Sequence, residues 1–313
     1  MPLLRRKTLI LAKIESTYGT NSSPSGSDAI LVRNLDITPL EADVVGRDLI
    51  RPYYGNSDQL LANPRVRVTC EVELAGSGTA GTAPRYGPLL KSCGISETIV
   101  ASTSVTYAPR SDFPTAGTSC TIVYNIDGVQ HAVTGARGTF TMNCQLGQIP
   151  TLQFEMTGVY NTPTDTAQPA VTYAAQATPL IFRDGNTSAF SFFAYSGCLM
   201  SVNMQLSNSV VYRELVGCTK QVLITDRKPA GTVSIEAPTI ATKDYFTLAL
   251  GSATGSLSFL HGTTAGNRVT FTSPQSDVTQ PTYGESDGIA MLNIPYVALP
   301  TTAGNDEFSL AFT

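Results

Sequence analysis

The feature that most constrains the fold of this chain is a two-residue alternation between apolar and polar side chains. The segment RVRVTCEVEL (65–74) is apolar at every second position, namely at Val66, Val68, Cys70, Val72 and Leu74. Successive side chains of a strand point to opposite faces of a sheet, so this segment predicts a half-buried antiparallel strand. Alternation on both sides of Asp127-Gly128, a dipeptide typical of type I′ turns, predicts a hairpin, and residues 147–150 predict a second turn. The chain is therefore expected to be all-β.

Two short stretches favour a helix instead. The first, residues 82–94, has Pro84 near its start. The second, residues 242–251, has Thr242 as an N-cap and Gly251 as a terminator. We therefore expect a β-sandwich, or a partly open barrel, with one short helix per unit.

Two segments repeat each other about half a chain apart. VVGRDLI (44–50) and VVYRELV (210–216) each contain two valines, a spacer, an Arg followed by an acid, and two aliphatic residues. The strand at 69–74, the helix that follows it and the strand at 152–157 have counterparts in the same order, the last at 308–313. This order predicts two tandem copies of one unit. Because alternation is common in β-rich chains, chance matching is the alternative.

Polar, low-complexity stretches suggest where the two copies are divided. Residues 161–178 are rich in Thr, Ala, Pro and Gln with little to bury, which is typical of a linker. Residues 15–28 form a polar stretch typical of a flexible arm and not of a core element. We predict an arm (1–28), a first β domain (29–160), a linker (161–178) and a second β domain (179–313).

Composition and charge limit the partners. Charged residues make up 14% of the chain, against roughly 25% in an average globular protein. This suits β-rich proteins, and also surfaces largely spent on contacts with copies of the same chain. The net charge is −4, and the basic cluster Arg5, Arg6 and Lys7 is too small for a protein that grips nucleic acid. The N-terminal apolar run is too short for a signal peptide or a membrane span. Six cysteines without CxxC spacing favour buried thiols in a reducing compartment, with disulfides as the alternative.

No catalytic, cofactor or metal site is predicted. GSGTAG (76–81) formally matches a dinucleotide-binding loop, but the strand before it has a polar face that a buried parallel strand lacks. His131 and His261 show no metal-ligand spacing, and we expect both to be partly exposed strand residues. The cluster of acids lacks the spacing of a calcium loop and is interpreted as solvated or salt-bridged; it comprises Asp36, Glu41, Asp43 and Asp48. An enzyme is the least favoured class.

The loop RDLIRPYYGNSDQLLAN (47–63) is the best candidate for a contact surface, because Arg and Tyr commonly anchor interfaces. Its candidate contact residues, with their counterparts in the second copy, are Arg47, Asp48, Arg51, Tyr53, Tyr54, Arg213 and Glu214. The adjacent Arg-acid pairs are predicted to bond between subunits or between rings. The alternative is a loop that packs on its own domain.

Three segments in this region carry a family resemblance: ESTYGT (15–20), AILVRNL (29–35) and RDLIRP (47–52). Together they resemble the N-terminal half of tail tube, or major tail, proteins of bacteriophages with long, non-contractile tails, over roughly residues 10–75. Beyond these residues the resemblance is architectural.

The resemblance implies a structural virion protein that is made in the bacterial cytoplasm and forms stacked rings, through which DNA leaves the capsid. Closed rings remove exposed sheet edges. The family uses either one tube domain in a six-fold ring or two fused domains in a ring of three chains, and the duplication favours the trimer over the hexamer. The loop at 47–63, and residues 213–228 in the second copy, would contact the adjacent ring. Implied partners are further copies of the chain, a tape measure protein, a tail terminator and passing DNA that is not bound specifically.

A β-sandwich binding module, such as a carbohydrate-binding or adhesin-like domain pair, is the competing class. Sugar-binding sandwiches usually expose Trp and Tyr platforms, and this chain has no Trp. The composition therefore favours the tube protein.

Overall fold

A computed structural model describes residues 2–114 and 116–313. The elements of the first half are β1 (Thr8–Ile14), β2 (Ala29–Ile30), β3 (Arg33–Gly46), β4 (Gln59–Glu73), α1 (Gly87–Ser92), β5 (Ile95–Val100), β6 (Ser104–Pro109), β7 (Cys120–Ile126), β8 (Val129–Gln145), β9 (Thr151–Val159) and β10 (Thr164–Asp165). Those of the second half are β11 (Thr187–Phe192), β12 (Leu199–Gln205), β13 (Asn208–Arg213), β14 (Gln221–Arg227), β15 (Ala230–Glu236), α2 (Tyr245–Leu250), β16 (Thr254–His261), β17 (Val269–Val278), β18 (Thr282–Ser286), β19 (Ile289–Leu299) and β20 (Ser309–Phe312). A single 3₁₀ turn covers Gly26–Asp28.

The fold is all-β, as the alternation predicts. Among the described residues, eighteen strands are joined by backbone pairing, and β13 and β14 form a separate ribbon. The strand ladders are antiparallel, including β4 with β9, β8 with β9 and β15 with β19. In β4 the residues Val66, Val68, Cys70 and Val72 are buried, which confirms the predicted inward face.

Strand β8 connects the sheets because it is long enough to change partners along its length. Its first part pairs with β7, its middle with β9 and its end with β12. Side chains on both faces are buried between Val133 and Gly138, where β8 passes through the core. The Asp127-Gly128 turn before it has positive φ at both residues, as a type I′ turn requires.

Two strand pairings cross from one half of the chain to the other. β12 pairs with the end of β8, with Val202 opposite Cys144, and β20 pairs with β6, with Leu310 opposite Tyr107. The buried hydrophobic residues of both halves form one continuous cluster. The two halves therefore share a core.

The loop GSGTAG lies between β4 and α1 and packs against the other half. The backbone N–H of Gly78 donates to the carbonyl of Gly266 at 2.9 Å. A Cβ on Gly76 would lie 2.1 Å from that same carbonyl oxygen, so only glycine fits there. These glycines permit close backbone approach, and the helix that follows has only six residues.

Both helices begin later than the sequence suggests. α1 begins at Gly87 and not near Pro84, and Pro88 lies in its first turn, where a missing backbone N–H costs nothing. The N-cap of α2 is Asp244 and not Thr242, because the Asp244 carboxylate accepts two backbone N–H groups at 3.0 Å each. No helix among residues 2–114 and 116–313 has the length and apolarity to cross a membrane.

The predicted arm and linker are both fixed to the first half. Within the predicted arm, residues 1–28, β1 precedes the polar stretch 15–28, pairs with β7 and is largely buried. Within residues 161–178, β10 pairs with β8, and Ala177 donates its N–H to Gly76 at 3.0 Å. Backbone hydrogen bonds to residues far away in sequence hold these segments in place.

The cysteines are free thiols of two kinds. Cys70, Cys93, Cys120 and Cys144 are buried, as predicted, whereas Cys198 and Cys218 are exposed. Burial raises the pKa of Cys70 to about 12, so that thiol stays protonated at neutral pH.

Candidate assembly interface

The outer part of the β3–β4 hairpin, residues 43–62, is a two-stranded ribbon with apolar side chains on both faces. Val44 lies opposite Leu61, and Val45 lies opposite Leu60. All four are more than half exposed, at 57%, 58%, 51% and 56% respectively. Because neighbouring residues of a strand point to opposite faces, neither face of the ribbon is covered by the chain's own core.

The loop at the end of this ribbon, residues 47–58, extends the apolar surface and is called the first tip loop. The side chains of Ile50 and Tyr54 are fully exposed, and Tyr53 is largely exposed. Arg47 closes the loop at its base through an ion pair with Asp58 at 2.7 Å. This apolar loop is attached to a defined stem.

The base of the ribbon is held by polar contacts that fix its direction. Arg65 forms ion pairs with Glu41 at 2.7 Å and with Asp43 at 3.3 Å. Asn63 has a φ of +53° and donates its side-chain amide to Asp43 at 2.7 Å. The hydrogen bonds from Asn63 and Arg65 hold the pKa of Asp43 below its ordinary value. Register shifts in β3 between Thr38 and Asp43 interrupt the regular strand pairing at the base of the ribbon.

A second ribbon, β13–β14, ends in residues 214–220, which we call the second tip loop. Glu214 forms an ion pair with Lys220 at 2.9 Å and accepts a hydrogen bond from the Tyr212 hydroxyl at 3.0 Å. The contact with Lys220 lowers the pKa of Glu214 from its ordinary value. The Val216 side chain is fully exposed. This loop therefore repeats the features of the first on a smaller scale.

The two Arg-acid pairs lie where strands end and loops begin, as their matching sequences suggest. In the first loop the Arg of the pair bonds across the loop, from Arg47 to Asp58; in the second the acid does so, from Glu214 to Lys220. Neither Arg47 with Asp48 nor Arg213 with Glu214 forms an ion pair among the described residues.

Arg51 and Arg213 differ from most of the chain's basic residues. Each lies at a ribbon end, is exposed, and has no carboxylate within 4.0 Å in the described part of the chain. Asp48 is likewise exposed and without a basic partner there. The sequence identified these residues, but not the uncovered Val44, Val45, Leu60 and Leu61, whose only signal was the aliphatic pairs that flank the loop.

The groups that could support chemistry have structural partners. His261 is buried, contrary to the expectation of a partly exposed residue. Its two ring nitrogens are satisfied inside the protein, by the Thr187 hydroxyl at 2.9 Å and the Leu180 carbonyl at 3.2 Å. His131 is half-buried, as expected. Within residues 2–114 and 116–313, no group of three His, Cys, Asp or Glu side chains could hold a metal ion. The acids near the ribbon are mostly salt-bridged, as predicted, at Asp36, Glu41 and Asp43.

These features describe an all-β protein that presents uncovered apolar hairpins. A family model described as phage tail tube protein matches residues 5–298. The chain therefore belongs to the phage tail tube protein family. A comparison with curated proteins gave no match.

Proposed function

We propose that this chain is the structural subunit of a long, non-contractile phage tail, where it forms stacked rings that conduct DNA during ejection. The family is structural and implies self-assembly into a tube in the virion tail. The proposed role requires no catalysis. Synthesis in the host cytoplasm, a tape measure protein inside the tube and a terminator at its end belong to the same proposal.

One observation supports self-association most directly: the β3–β4 ribbon is apolar on both faces and covered on neither. A two-stranded ribbon is marginally stable in water, and uncovered apolar patches mark sites of protein contact. Because burying apolar surface provides about 25 cal/mol per Å², the ribbon gains most from a neighbour that covers both faces. Further copies of the chain can do so in a tube.

We also propose that the chain contains two fused tube domains, so that three chains build one ring. The order of elements supports this: β3–β4 and α1 in the first half correspond to β12 to β15 and α2 in the second. Pro64 follows the ribbon segment of β4, and Pro229 stands at the matching place between β14 and β15. The hairpins β5–β6 and β7–β8 then correspond to β16–β17 and β18–β19.

The final strands of the two halves differ in their partners. β9 lies between β4 and β8 inside the first half, whereas β20 pairs with β17 and with β6 of the first half. The proposed duplication therefore rests on element order and on the ribbons, with the last strand redirected to join the halves.

Electron microscopy of the purified full chain tests both proposals. We expect hollow tubes or ring stacks, and rings of three chains with a pseudo-six-fold outline. A chain that stays monomeric and binds glycans would overturn the tube proposal. Rings of six chains would overturn the fused-domain proposal and leave the tube intact.

A charge-reversal experiment tests the first tip loop. Arg47→Glu should prevent ring stacking while each subunit stays folded, because it breaks the Arg47–Asp58 closure that shapes the loop. Since both side chains are about half exposed, we expect a change in unfolding free energy of no more than about 1 kcal/mol. Arg47→Glu combined with Asp58→Arg should restore stacking. Normal tubes from Arg47→Glu alone would refute a role for this loop.

A further inference from the structure

An open groove lies in the second half of the molecule. It has a volume of about 620 Å³, and its lining includes Leu146, Arg183, Asp184, Cys198, Leu199 and Glu236. A smaller cavity of about 180 Å³ shares Leu146, Cys198, Leu199 and Glu236 and continues to Asp287 and Ile289. We call the two together the end groove. Its apolar side chains are partly uncovered, with Leu146 at 53% and Ile289 at 51% exposure.

The end groove and the ribbons lie at opposite ends of the same sheet. Strand β4 runs from Gln59 beside the first tip loop to Glu73, which pairs with Thr151 at the far end. From there β9 pairs with β8, β8 with β12, and β12 with β15. The residues paired next to Thr151 in each of these strands also lie at this far end. Leu199 and Glu236 lie at that end. Fifteen residues of strand separate the two ends, about 50 Å at roughly 3.3 Å per residue.

The two ends carry different balances of unpaired charge. Asp184, Glu236 and Asp287 in the end groove are exposed and, within the described ranges, have no basic side chain at ion-pair distance. The ribbon ends carry Arg51 and Arg213, which lack carboxylate partners under the same limit. Arg183 also lines the groove and Asp48 lies beside the first tip loop's base, both exposed and, among the described residues, without an ion pair, so the groove has an acidic surplus that Arg51 can meet.

The first half shows how an equivalent site is covered. Under the proposed duplication Glu73 corresponds to Glu236, since each ends the strand before a helix. Glu73 has a cation, Arg33, at 3.8 Å. The chain's own residues Gln176 and Ala177 cover this place: the Leu31 N–H donates to the Gln176 side-chain oxygen at 2.7 Å, and only about 30 Å³ of space is left. Glu236 has no cation at ion-pair distance among the described residues and lies in the open groove, which Arg183 also lines.

We infer that the end groove receives residues 49–54 of the first tip loop from a second copy in the adjacent ring. Ile50 and Tyr54 pack on Leu146 and Leu199, and Arg51 pairs with Glu236. This inference rests on the proposed function and names the receiving surface for the loop. A head-to-tail contact of this kind does not close on itself, so it propagates along the tube. Because the chain's own linker fills the first-half site, each chain offers one open groove, and the second tip loop has no such receptor.

Cross-linking with the native Cys198 thiol tests this placement. In a Cys218→Ser background, Cys198 is the exposed native thiol, the other four being buried. Tyr54→Cys and, separately, Ile50→Cys place a thiol on the first tip loop of assembled full-length protein. Diamide oxidises two thiols to one disulfide and takes up both hydrogens. Because each chain then carries one donor and one receptor, head-to-tail docking predicts a ladder of covalent multimers on a non-reducing gel.

The matched control is Val216→Cys, which places an equally exposed thiol on the second tip loop. We expect roughly tenfold less cross-linked chain from this control, since thiols held in contact have a far higher effective concentration. Cys198→Ser should abolish the ladder. Equal ladders from Val216→Cys, or tubes without a ladder from either first-loop thiol, would overturn the inference.

Exchanging the charges of Arg51 and Glu236 is a second, independent test of the docking site. Arg51→Glu and Glu236→Arg should each shorten or abolish tubes, and the two together should restore them. Normal tubes from both single variants would overturn the proposed pair. If the unmodified protein forms no tubes at all, the proposed function fails; if it forms tubes whose chains do not cross-link, only the docking site fails.

Discussion

The carboxylate of Glu15 shows how one buried charge can fix a polar segment. It accepts hydrogen bonds from the backbone N–H of Gly19 at 2.8 Å and of Gly135 at 2.7 Å. It also accepts them from the hydroxyls of Ser119 at 2.6 Å and Thr121 at 2.9 Å. One side chain thus joins the turn after β1 to β7 and β8.

The burial of Glu15 could not be predicted from the sequence. An acid that opens a polar stretch is ordinarily exposed, and three of its four donors lie more than a hundred residues away. The same long-range dependence explains why His261 was wrongly expected to be partly exposed: its partners Thr187 and Leu180 come from the start of the second half.

Replacing Glu15 should destabilise the fold without touching the ribbons. Glu15→Gln keeps the shape but turns an acceptor of four donors into a group that itself donates, so we expect a loss of about 2–3 kcal/mol in unfolding free energy. Urea unfolding of the subunit measures this loss. Glu285→Gln, at an exposed acid, is the matched control and should change stability by less than about 0.5 kcal/mol. Equal effects of the two substitutions would refute the role of Glu15.

His261 should make the stability depend on pH. Burial lowers its pKa from the ordinary value of 6.5, and the hydrogen bond to Leu180 opposes this only in part. The unfolded chain then binds a proton that the folded chain does not, so this stability is fully present above pH 6.5 and is lost as the pH falls toward the lowered pKa. Urea unfolding at pH 7.5 and 5.5 should show the fall.

His261→Gln should be less stable than the unmodified protein by about 1–2 kcal/mol at pH 7.5 and should show a smaller fall between the two pH values. The chain has only two histidines, and burial lowers the pKa of His131 as well. His131→Gln is therefore the control and should keep most of the fall, because His131 is the less buried of the two. An unchanged pH dependence in His261→Gln would contradict this assignment.

The β3–β4 ribbon shows where sequence patterns stop being informative. Alternation correctly predicted the inner part of β4, where one face meets the core. At Val44, Val45, Leu60 and Leu61 no core lies beneath either face, so apolar residues on both faces look like a buried strand. Only the strand pairing in the folded chain shows that the subunit's own core leaves these side chains uncovered.

Hydrogen exchange should report the covering of this ribbon. In the free subunit the amides of residues 43–62 should exchange quickly, because few packed side chains protect them. In assembled tubes we expect their exchange to slow by about a hundredfold or more, as for amides that become part of a packed sheet. Residues 66–72 of β4, buried in the subunit, serve as the internal control and should be protected in both states. Equal exchange in subunit and tube would show that the ribbon stays uncovered.

The two halves, which the sequence separates at residues 161–178, are coupled through buried contacts. Arg137 donates to the carbonyls of Thr118 at 3.1 Å and Val222 at 2.9 Å, and its guanidinium lies 4.7 Å from the centre of the Tyr18 ring. Burial lowers the pKa of Arg137. Local patterns can indicate a linker, but they carry no information on strands that pair across more than a hundred residues.

The strongest test of this coupling is a substitution in the last strand whose effect on unfolding is measured in the first half. Phe312 belongs to β20, and its ring lies edge-on to Tyr107 at 5.7 Å and to Tyr86 at 6.2 Å, both from the first half. Phe312→Ala should cost about 3–5 kcal/mol of unfolding free energy. Because the core is shared, the loss should be the same whichever half is observed.

Pulse proteolysis in urea with mass spectrometry of the cleaved peptides measures the two halves separately. We expect peptides from β4 and from β16 to become cleavable at one urea concentration, and Phe312→Ala to lower both midpoints together. Phe246→Ala is the control, since Phe246 is only partly buried and its ring lies 5.6 Å from that of Tyr283 in its own half. A first half that keeps its midpoint in Phe312→Ala would show two independent domains. A common shift would mean that the two halves unfold as one cooperative body, because neither half can unfold without the other.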